Sequence, residues 1–570
     1  MRRRSLIENT GRMGKVCVPG TQNAESVGIK RAVRRGRERR GAILRLPHVG
    51  HGCIRHGTVM RAMTSAAGRQ RCILIVANCE CYGSQSEGQS QQDGENASHL
   101  ENIIHELLSS QRFRGESRFR YHRGIPIPES PPKEWMLSPV KTSASASDSS
   151  VAGVESNSRK PLRIALFGFG TVGSSVGRIL LESKPDGIVL THVFNRNVAR
   201  KKADWVPDRV VWSEDWEQVL ASDIDVIVEL VGGLDPAGTW VRRAIEAGKS
   251  VVTANKKLIA YHGVELERLA AEKGGHLKYG AAVAGGIPVI PGLEQGLAGD
   301  RITRMEGILN GTCNFILSQM EAGVEYAAVL KEAQARGYAE ADPTEDVGGF
   351  DARSKLAILM RLALRVVVDP DEIVPQPITS VSAVDFSYAK DLNCTIRQIA
   401  RAEERDGGVA ATVGPMLVDG NSPIAWSRGT ENMVVLTGKY GGDVVFSGHG
   451  AGGHPTAVAV VSDLLALAHG SRRVEIPSTP ARIGAEFEVP HYIRFRVVDR
   501  PGIVAEITAA LAREKINIRA IVQKPGYPAD ALPFVVTVEP CGSSVLTRAL
   551  GEIGKMDCLL EAPLDLQILE

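Results

Sequence analysis

From Pro161 onward the chain alternates short apolar runs with stretches of helical period. IALF (Ile164–Phe167) precedes a helical pattern that reaches Glu182. GIVLTHVF, DIDVIVELVGG and SVVT are further apolar runs, and DPAGTWVRRAIEAG between the last two reads as a helix. Strand–helix alternation of this kind predicts a parallel sheet covered on both faces. Residues 395–448 change to a period of two (ATVGPMLV, NMVVLTGKY, DVVFSG) and predict a further sheet. GHGAGGHPTAVAVVSDLLALA (Gly448–Ala468) is a Gly-rich loop running into a long apolar helix. Residues 490–567 read strand, helix, strand, strand, helix, strand, a βαββαβ order. Residues 1–158 show no sustained hydrophobic period, and SQSEGQSQQDGENAS and TSASASDSS are polar and of low complexity. Such segments bury too little apolar area to offset chain entropy, so this extension is expected to be mostly disordered, with one short amphipathic helix at His99–Gln111.

Chemistry enters at three places. Gly168, Phe169, Gly170, Thr171, Val172 and Gly173 form GxGxxG between the first strand and the first helix. Glycines there allow a tight turn and close backbone approach of a pyrophosphate to the helix N-terminus. The second strand ends at Asn195–Arg196 with no acid to bond a ribose 2′-hydroxyl. Arg196, followed by Arg200, Lys201 and Lys202, suits a 2′-phosphate, so NADP is expected over NAD. GYAEADPTEDVGGFDARSK (Gly337–Lys355) then packs Glu340, Asp342, Glu345, Asp346 and Asp351 ahead of Lys355. Its Asp-Pro and Gly-Gly predict a loop, and a helix begins at Phe350. Asp351 and Lys355 fall at i and i+4, where a carboxylate can orient an ammonium able to protonate a carbonyl oxygen. The acidic loop, Glu340 and Asp346 included, can hold a substrate amino group. A calcium loop fails on spacing, with Val347 and Arg353 where Gly and Glu are needed.

Charge divides unevenly. Residues 1–160 carry +12 and the remainder −9, although the whole chain is only +3. An acidic body argues against nonspecific nucleic-acid binding. No apolar run reaches the roughly 18 residues of a membrane helix. Nine scattered cysteines suit reduced thiols in the cytoplasm rather than a disulfide framework. The basic head is open to three readings: a transit peptide, a binding tail, or a start site placed upstream of the true one, with translation beginning at a later residue such as Met136. On the last reading residues 1–135 are dispensable.

The Gly337–Lys355 stretch resembles the signature of homoserine dehydrogenases: a Gly-aromatic pair, an acid, Asp-Pro, then Asp, Gly, Asp and Lys at fixed offsets. The resemblance covers residues 161–567. It implies reversible reduction of aspartate 4-semialdehyde to homoserine in threonine, methionine and isoleucine synthesis. It divides the chain into a basic extension (1–158), a Rossmann-type domain (159–300, completed by a helix at 450–470), an α+β substrate and dimerisation domain (301–449) and a ferredoxin-like ACT regulatory domain (490–567). Lys355 is then the acid/base, Asp351 its orienter, and Glu340 the grip on the substrate ammonium. Lys256, an ordinary loop lysine when read alone, matches the Thr-Ala-Asn-Lys lysine beside cofactor and substrate, and Gly450 the loop glycine near the nicotinamide. Backbone carbonyls of Val283, Gly285 and Ile287 match a sodium-type cation site, with Gly280 standing where a Glu is common. The ACT resemblance implies a homo-oligomer, dimer or tetramer, and an amino-acid effector, threonine first, bound near Gly502 with Asn517 as a polar contact. The exposed linker after about Ser478 implies a separable module. A bifunctional aspartokinase fusion lacks the kinase's length and its Gly-rich lysine motif. A non-catalytic amino-acid sensor with a vestigial dinucleotide domain is disfavoured by the complete Glu340, Asp351 and Lys355 set.

Overall fold

The computed structural model describes residues 60–64, 70–74, 160–405, 408–470 and 477–569. The expected disorder of residues 1–158 and the helix at His99–Gln111 fall outside the described residues. Within that extension Met60–Thr64 pairs antiparallel with Gln70–Leu74, a ladder the sequence pattern did not predict.

The first sheet holds six parallel strands: β1 (Leu162–Phe167), β2 (Ile188–Phe194), β3 (Val211–Ser213), β4 (Val226–Glu229), β5 (Ser250–Thr253) and β6 (Leu277–Lys278). Their order is β3-β2-β1-β4-β5-β6, the doubly wound arrangement that places a ligand crevice at the strands' carboxyl ends. The pleat explains the continuous apolar runs. Ile164 and Leu166 face one core with α1 (Thr171–Glu182), while Ala165 and Phe167 face another with Trp240, Val241 and Ile245. These last three belong to α2 (Ala237–Glu246). Because helices cover both faces, both residue sets must be apolar. The apolar helix near the end of this region, Gly453–Ala468, packs its Ala457, Val460 and Leu464 into the α1 side, so the domain is completed from far along the chain.

The second sheet has nine strands. The first five in chain order are β7 (Ile302–Ile308), β8 (Cys394–Arg405), β9 (Gly408–Asp419), β10 (Glu431–Gly438) and β11 (Gly442–His449); β11 alternates with the expected period of two, whereas β8 is buried along most of its length. The remaining four, β12 (Glu488–Val497), β13 (Ile518–Gln523), β14 (Leu532–Gly542) and β15 (Leu564–Leu569), belong to the βαββαβ unit. The order is β11-β10-β7-β8-β9-β15-β12-β14-β13. The two halves join where β15 pairs in parallel with β9, Leu417 opposite Ile568 and Val418 opposite Leu569. Tyr492, Val535, Leu566 and Ile568 share one buried cluster with Phe315, Ile316, Tyr388 and Leu417. Tyr388 donates to the Pro533 carbonyl at 2.9 Å and Tyr492 to Asp385 at 2.8 Å. The separable module expected from the linker is thus continuous with the substrate domain's sheet and core. The linker is also engaged, with Thr479–Pro480 paired to Val366–Val367.

Two helices bring the domains together at the crevice: α3 (Lys256–Glu272), which follows β5, and α4 (Phe350–Ala363), which lies in the substrate domain. Arg361 of α4 holds Glu267 of α3 with two hydrogen bonds of 3.0 and 2.9 Å, and Tyr279 donates to Glu267 at 2.6 Å. Arg361 is 6 % exposed and Glu267 half-buried, so this is a multiply bonded tie anchored on a buried guanidinium.

Candidate active site

Asp351 is the centre of the site. It sits in the first turn of α4, where the helix dipole favours an anion, and it is 5 % exposed. Gly349 opens the helix with φ +83°, a conformation that suits glycine, and so turns the acidic loop into the helix axis. The i, i+4 spacing does what the sequence implied: Lys355 donates to Asp351 Oδ2 at 2.6 Å. It also donates to the Leu309 carbonyl at 2.7 Å, which leaves one N–H of the ammonium for a substrate. Lys256 reaches the other carboxylate oxygen at 2.9 Å. One carboxylate therefore holds two ammonium groups, one from each domain. Burial alone would push the Asp351 carboxyl up, but the Lys355 and Lys256 charges hold it well below the usual carboxylate range. The Asp351 charge in turn raises the Lys256 pKa against its own burial.

Lys256 is not a loop lysine. It is the first residue of α3, and a polar chain sets it there. Glu229, fully buried at the end of β4, accepts from Val231 N at 2.7 Å, Gly232 N at 2.8 Å and Thr253 Oγ1 at 2.6 Å. Thr253 Oγ1 accepts from Asn255 N, and Asn255 caps α3 through Leu258 N while donating to the Gly233 carbonyl. Asn310 does the matching work in the other domain. It is the cap of α5 (Gly311–Glu321), accepting from Cys313 N at 2.8 Å. Thr312 donates to the Tyr338 carbonyl. The Asn310 amide bridges Asp346 at 2.7 Å and Asp351 at 2.9 Å. Burial raises Asp346 despite that hydrogen bond. Glu340 is exposed, and its backbone carbonyl accepts from Gln334 at 3.1 Å. The sequence could not show Glu229 or Asn310 in these roles, because each acts on residues distant in the chain.

The nucleotide residues stand as the motif requires. Gly168 has φ +100°, and a Cβ on Gly173 would strike the Gly168 carbonyl oxygen. Nothing lies within 4 Å of a Cβ built on Gly170, so that side of the turn is open to a ligand. Phe169 is buried, while Thr171 and Val172 begin α1. Residues at this turn fit a dinucleotide's pyrophosphate. Arg196 follows β2 and is exposed. An acid that the strand reading missed comes near from β3: Glu214 accepts from Val198 N at 2.7 Å and caps the short helix after Arg196.

Val283, Gly285 and Ile287 lie in a buried loop with Ala284 and Gly285 at φ +56° and +50°. The Ile287 carbonyl accepts from Val289 N at 2.8 Å, which leaves that oxygen one lone pair. The missing side chain at Gly280 has a neighbour the sequence did not reveal. Asp463, from the helix Gly453–Ala468, accepts from Gly280 N at 2.7 Å and stands 3.0 Å from where a Gly280 Cβ would be. Burial raises its carboxyl to about 6. A buried carboxylate therefore lies where a side chain at Gly280 would begin. Gly450 packs against Gly285 on one side, where a Cβ on Gly285 would meet the Gly450 carbonyl.

Comparison with known proteins agrees with this geometry. Residues 168–280 match the model of the homoserine dehydrogenase NAD-binding domain, 288–465 the homoserine dehydrogenase model, and 491–556 the ACT domain model. Homoserine dehydrogenase of Mycobacterium tuberculosis (strain ATCC 25618 / H37Rv) is 38% identical over 385 residues, spanning 64% of this chain and 87% of the relative. That of Neisseria gonorrhoeae is 35% identical over 420 residues, 70% and 97% respectively. Among solved structures, a homoserine dehydrogenase from Thiobacillus denitrificans aligns with a TM-score of 0.67 and 34% identity over 72% of this chain and 99% of that one. Two lysines on one buried carboxylate, a dinucleotide-type glycine turn and these matches place the chain in the homoserine dehydrogenase family, NAD(P)-dependent oxidoreductases acting on a CH–OH group.

Proposed function

We propose that the chain reduces aspartate 4-semialdehyde to homoserine, with NADPH preferred over NADH, and that Lys355 handles the proton. The observation that carries this reading is the Lys256–Asp351–Lys355 arrangement at the junction of the two domains. The reduced nicotinamide, when bound, supplies the hydride. The chain's residues do the rest. Lys355, fixed by Asp351 and the Leu309 carbonyl, points its remaining N–H at the aldehyde oxygen and protonates it as negative charge develops. Lys256 stays charged, because Asp351 raises its pKa, and stabilises the same oxygen electrostatically. Asp351 remains an anion throughout. Asp346 and Glu340 take the substrate ammonium, an incoming cation restoring the charge that burial disfavours on Asp346. Gly168–Gly173 would hold the pyrophosphate, Gly450 would lie beside the nicotinamide and Arg196 would hold the 2′-phosphate. The carbonyls of Val283, Gly285 and Ile287 would take a monovalent cation such as sodium, with Asp463 contributing charge.

The ACT domain is read as an amino-acid sensor, threonine the first effector. A cavity of about 260 Å³ borders Gly502, where φ is +98°, with Asp499, Arg500 and Gln523 in its wall. Gln523 rather than Asn517 lines it, so the polar contact moves to that residue. The homo-oligomer, the cytoplasmic location and the four-part domain division belong to the same reading; among the described residues no helix is long and apolar enough to cross a membrane. The deciding experiment is NADPH oxidation on addition of aspartate 4-semialdehyde, wild type against Lys355→Ala. Lys355→Ala should lose roughly 10²- to 10⁴-fold in kcat. Turnover that survives this change unaltered would remove Lys355 from the chemistry.

A further inference from the structure

The two inner carboxylates of the site are held very unequally. Asp351 is bonded to Lys355, Lys256 and Asn310. The Asp346 side chain has one bond, from Asn310 Nδ2 to its Oδ1 at 2.7 Å, and no other partner among the described residues. Its Oδ2 is therefore unclaimed, and Asp346 is only half-buried. The backbone at Asp346 is fixed separately, its carbonyl accepting from Gly349 N at 3.0 Å and from Cys313 Sγ at 3.1 Å. What is left to Asn310 is the direction of the carboxylate.

Asn310 can set that direction because its own amide cannot turn. Oδ1 accepts from Cys313 N at 2.8 Å as the cap of α5, which leaves Nδ2 facing the carboxylates. A flipped amide would lose the cap and set an oxygen against two anions, so the partners themselves assign the orientation. Both Nδ2 hydrogens are used, one on Asp346 and one on Asp351 at 2.9 Å. One amide nitrogen thus bridges two like charges that would otherwise repel each other.

We propose that Asn310 is a positioning residue for substrate capture: the amide it shares between Asp351 and Asp346 aims the unclaimed Asp346 oxygen at the substrate ammonium. The inference rests on the reading of Asp346 as an ammonium acceptor. Electrostatics support it. Burial raises the Asp346 carboxyl and the Asp351 charge adds to the rise; the Asn310 hydrogen bond is the main influence lowering it, ahead of Lys355 and Lys256. The adjoining Cys313 thiol is itself pushed up by burial, and neighbouring Glu345 is paired with Lys257.

The test is Asn310→Ser in the full-length chain. Serine caps a helix about as well as asparagine, but its hydroxyl carries one hydrogen and cannot bridge both carboxylates. KM for aspartate 4-semialdehyde should rise about tenfold, and kcat should fall by less, because Asp351 keeps its two lysines. KM for NADPH should stay as in wild type. The loss of substrate affinity on acidification should begin at a higher pH, since the bond that lowers Asp346 is gone. Asp346→Asn should raise KM by itself, and adding Asn310→Ser to it should change little, a coupling that a double-mutant cycle reads. Asn310→Asp keeps the cap and the shape but sets a third carboxylate against the other two, and should raise KM further than serine does. Wild-type KM for the aldehyde in both Asn310 variants overturns the proposal. So do Asn310→Ser and Asp346→Asn effects that multiply independently, or a loss of turnover that follows Tm with that KM unmoved. Wild-type KM in Asp346→Asn would instead remove the ammonium reading, and the proposal with it.

Discussion

Ile568, in the last strand of the chain, lies opposite Leu417 in the substrate domain, and the two strands run parallel. Stopping the chain after Ser478 removes Tyr492, Val535, Leu566 and Ile568 from the cluster they share with Phe315 and Tyr388, and it uncovers β9. Each large buried side chain lost costs about 2–5 kcal/mol, and an uncovered strand edge invites association. The truncated chain should aggregate or melt well below full length, and lose turnover with it. Size-exclusion chromatography and a thermal melt decide this. A monodisperse, active truncation would show that the shared core is dispensable. Effector sensing is better tested by Gln523→Ala, which leaves the junction intact and should weaken threonine inhibition.

Asp351→Asn tests the shared carboxylate. The substitution leaves Lys355 and Lys256 without their counter-ion, and kcat should fall roughly 10²-fold. Since Asp351 raises the Lys256 pKa, its removal should also move the alkaline limb of the pH profile to lower pH. A kcat loss with an unmoved profile would mean the two lysines are tuned by something else. Linkage gives a second readout. The Asp351 carboxyl is depressed in the folded state, so its contribution is present above the unfolded value of about 3.9 and is lost as pH falls through the folded one.

Arg196→Ala should raise KM for NADPH about tenfold or more and leave KM for NADH nearly unchanged, since only NADPH carries the 2′-phosphate. Glu214 is close by but already occupied as a cap on Val198. Equal effects on both cofactors would assign the phosphate to the neighbouring Arg200, Lys201 or Lys202.

Asp463 carries a pH signature of opposite sign. Burial raises its carboxyl to about 6, so the folded chain holds that proton more tightly than the unfolded chain does. Its contribution is full below about pH 3.9 and is lost as pH rises through about 6; by pH 8 the ionised group costs up to about 3 kcal/mol. Asp463→Asn keeps an acceptor for Gly280 N and removes the charge. In choline chloride its Tm should exceed that of wild type at pH 8 and approach it at pH 4.5. Sodium should close the gap at pH 8 by stabilising wild type alone. Identical melts in the two salts would remove sodium from this loop.

What could be read from sequence was local. The helix from Phe350, the Asp351–Lys355 pair and the GxGxxG turn each lie within one strand–turn–helix unit, where periodicity and spacing suffice. Lys256 was legible only as a resemblance, because its partner Asp351 belongs to the other domain. Asn310 carried no signal, since nothing adjacent to it shows that its amide will meet two carboxylates. Gly280 read as a lost carboxylate, whereas Asp463 brings one to the same place from a helix on the far side of the substrate domain in sequence. The β9–β15 pairing was hidden for a related reason: β9 is apolar along most of its length and β15 alternates, and neither pattern names a partner.

Asp351 also acts as a latch. Moving α3 away from α4 would withdraw Lys256, whose side chain is 46% exposed, from a carboxylate that is almost wholly out of water, leaving Lys355 as its charged partner. The Arg361–Glu267 tie resists the same motion farther along the two helices. The spacing of the two ammonium groups is therefore set by one carboxylate, and any group that bonds to both must match it.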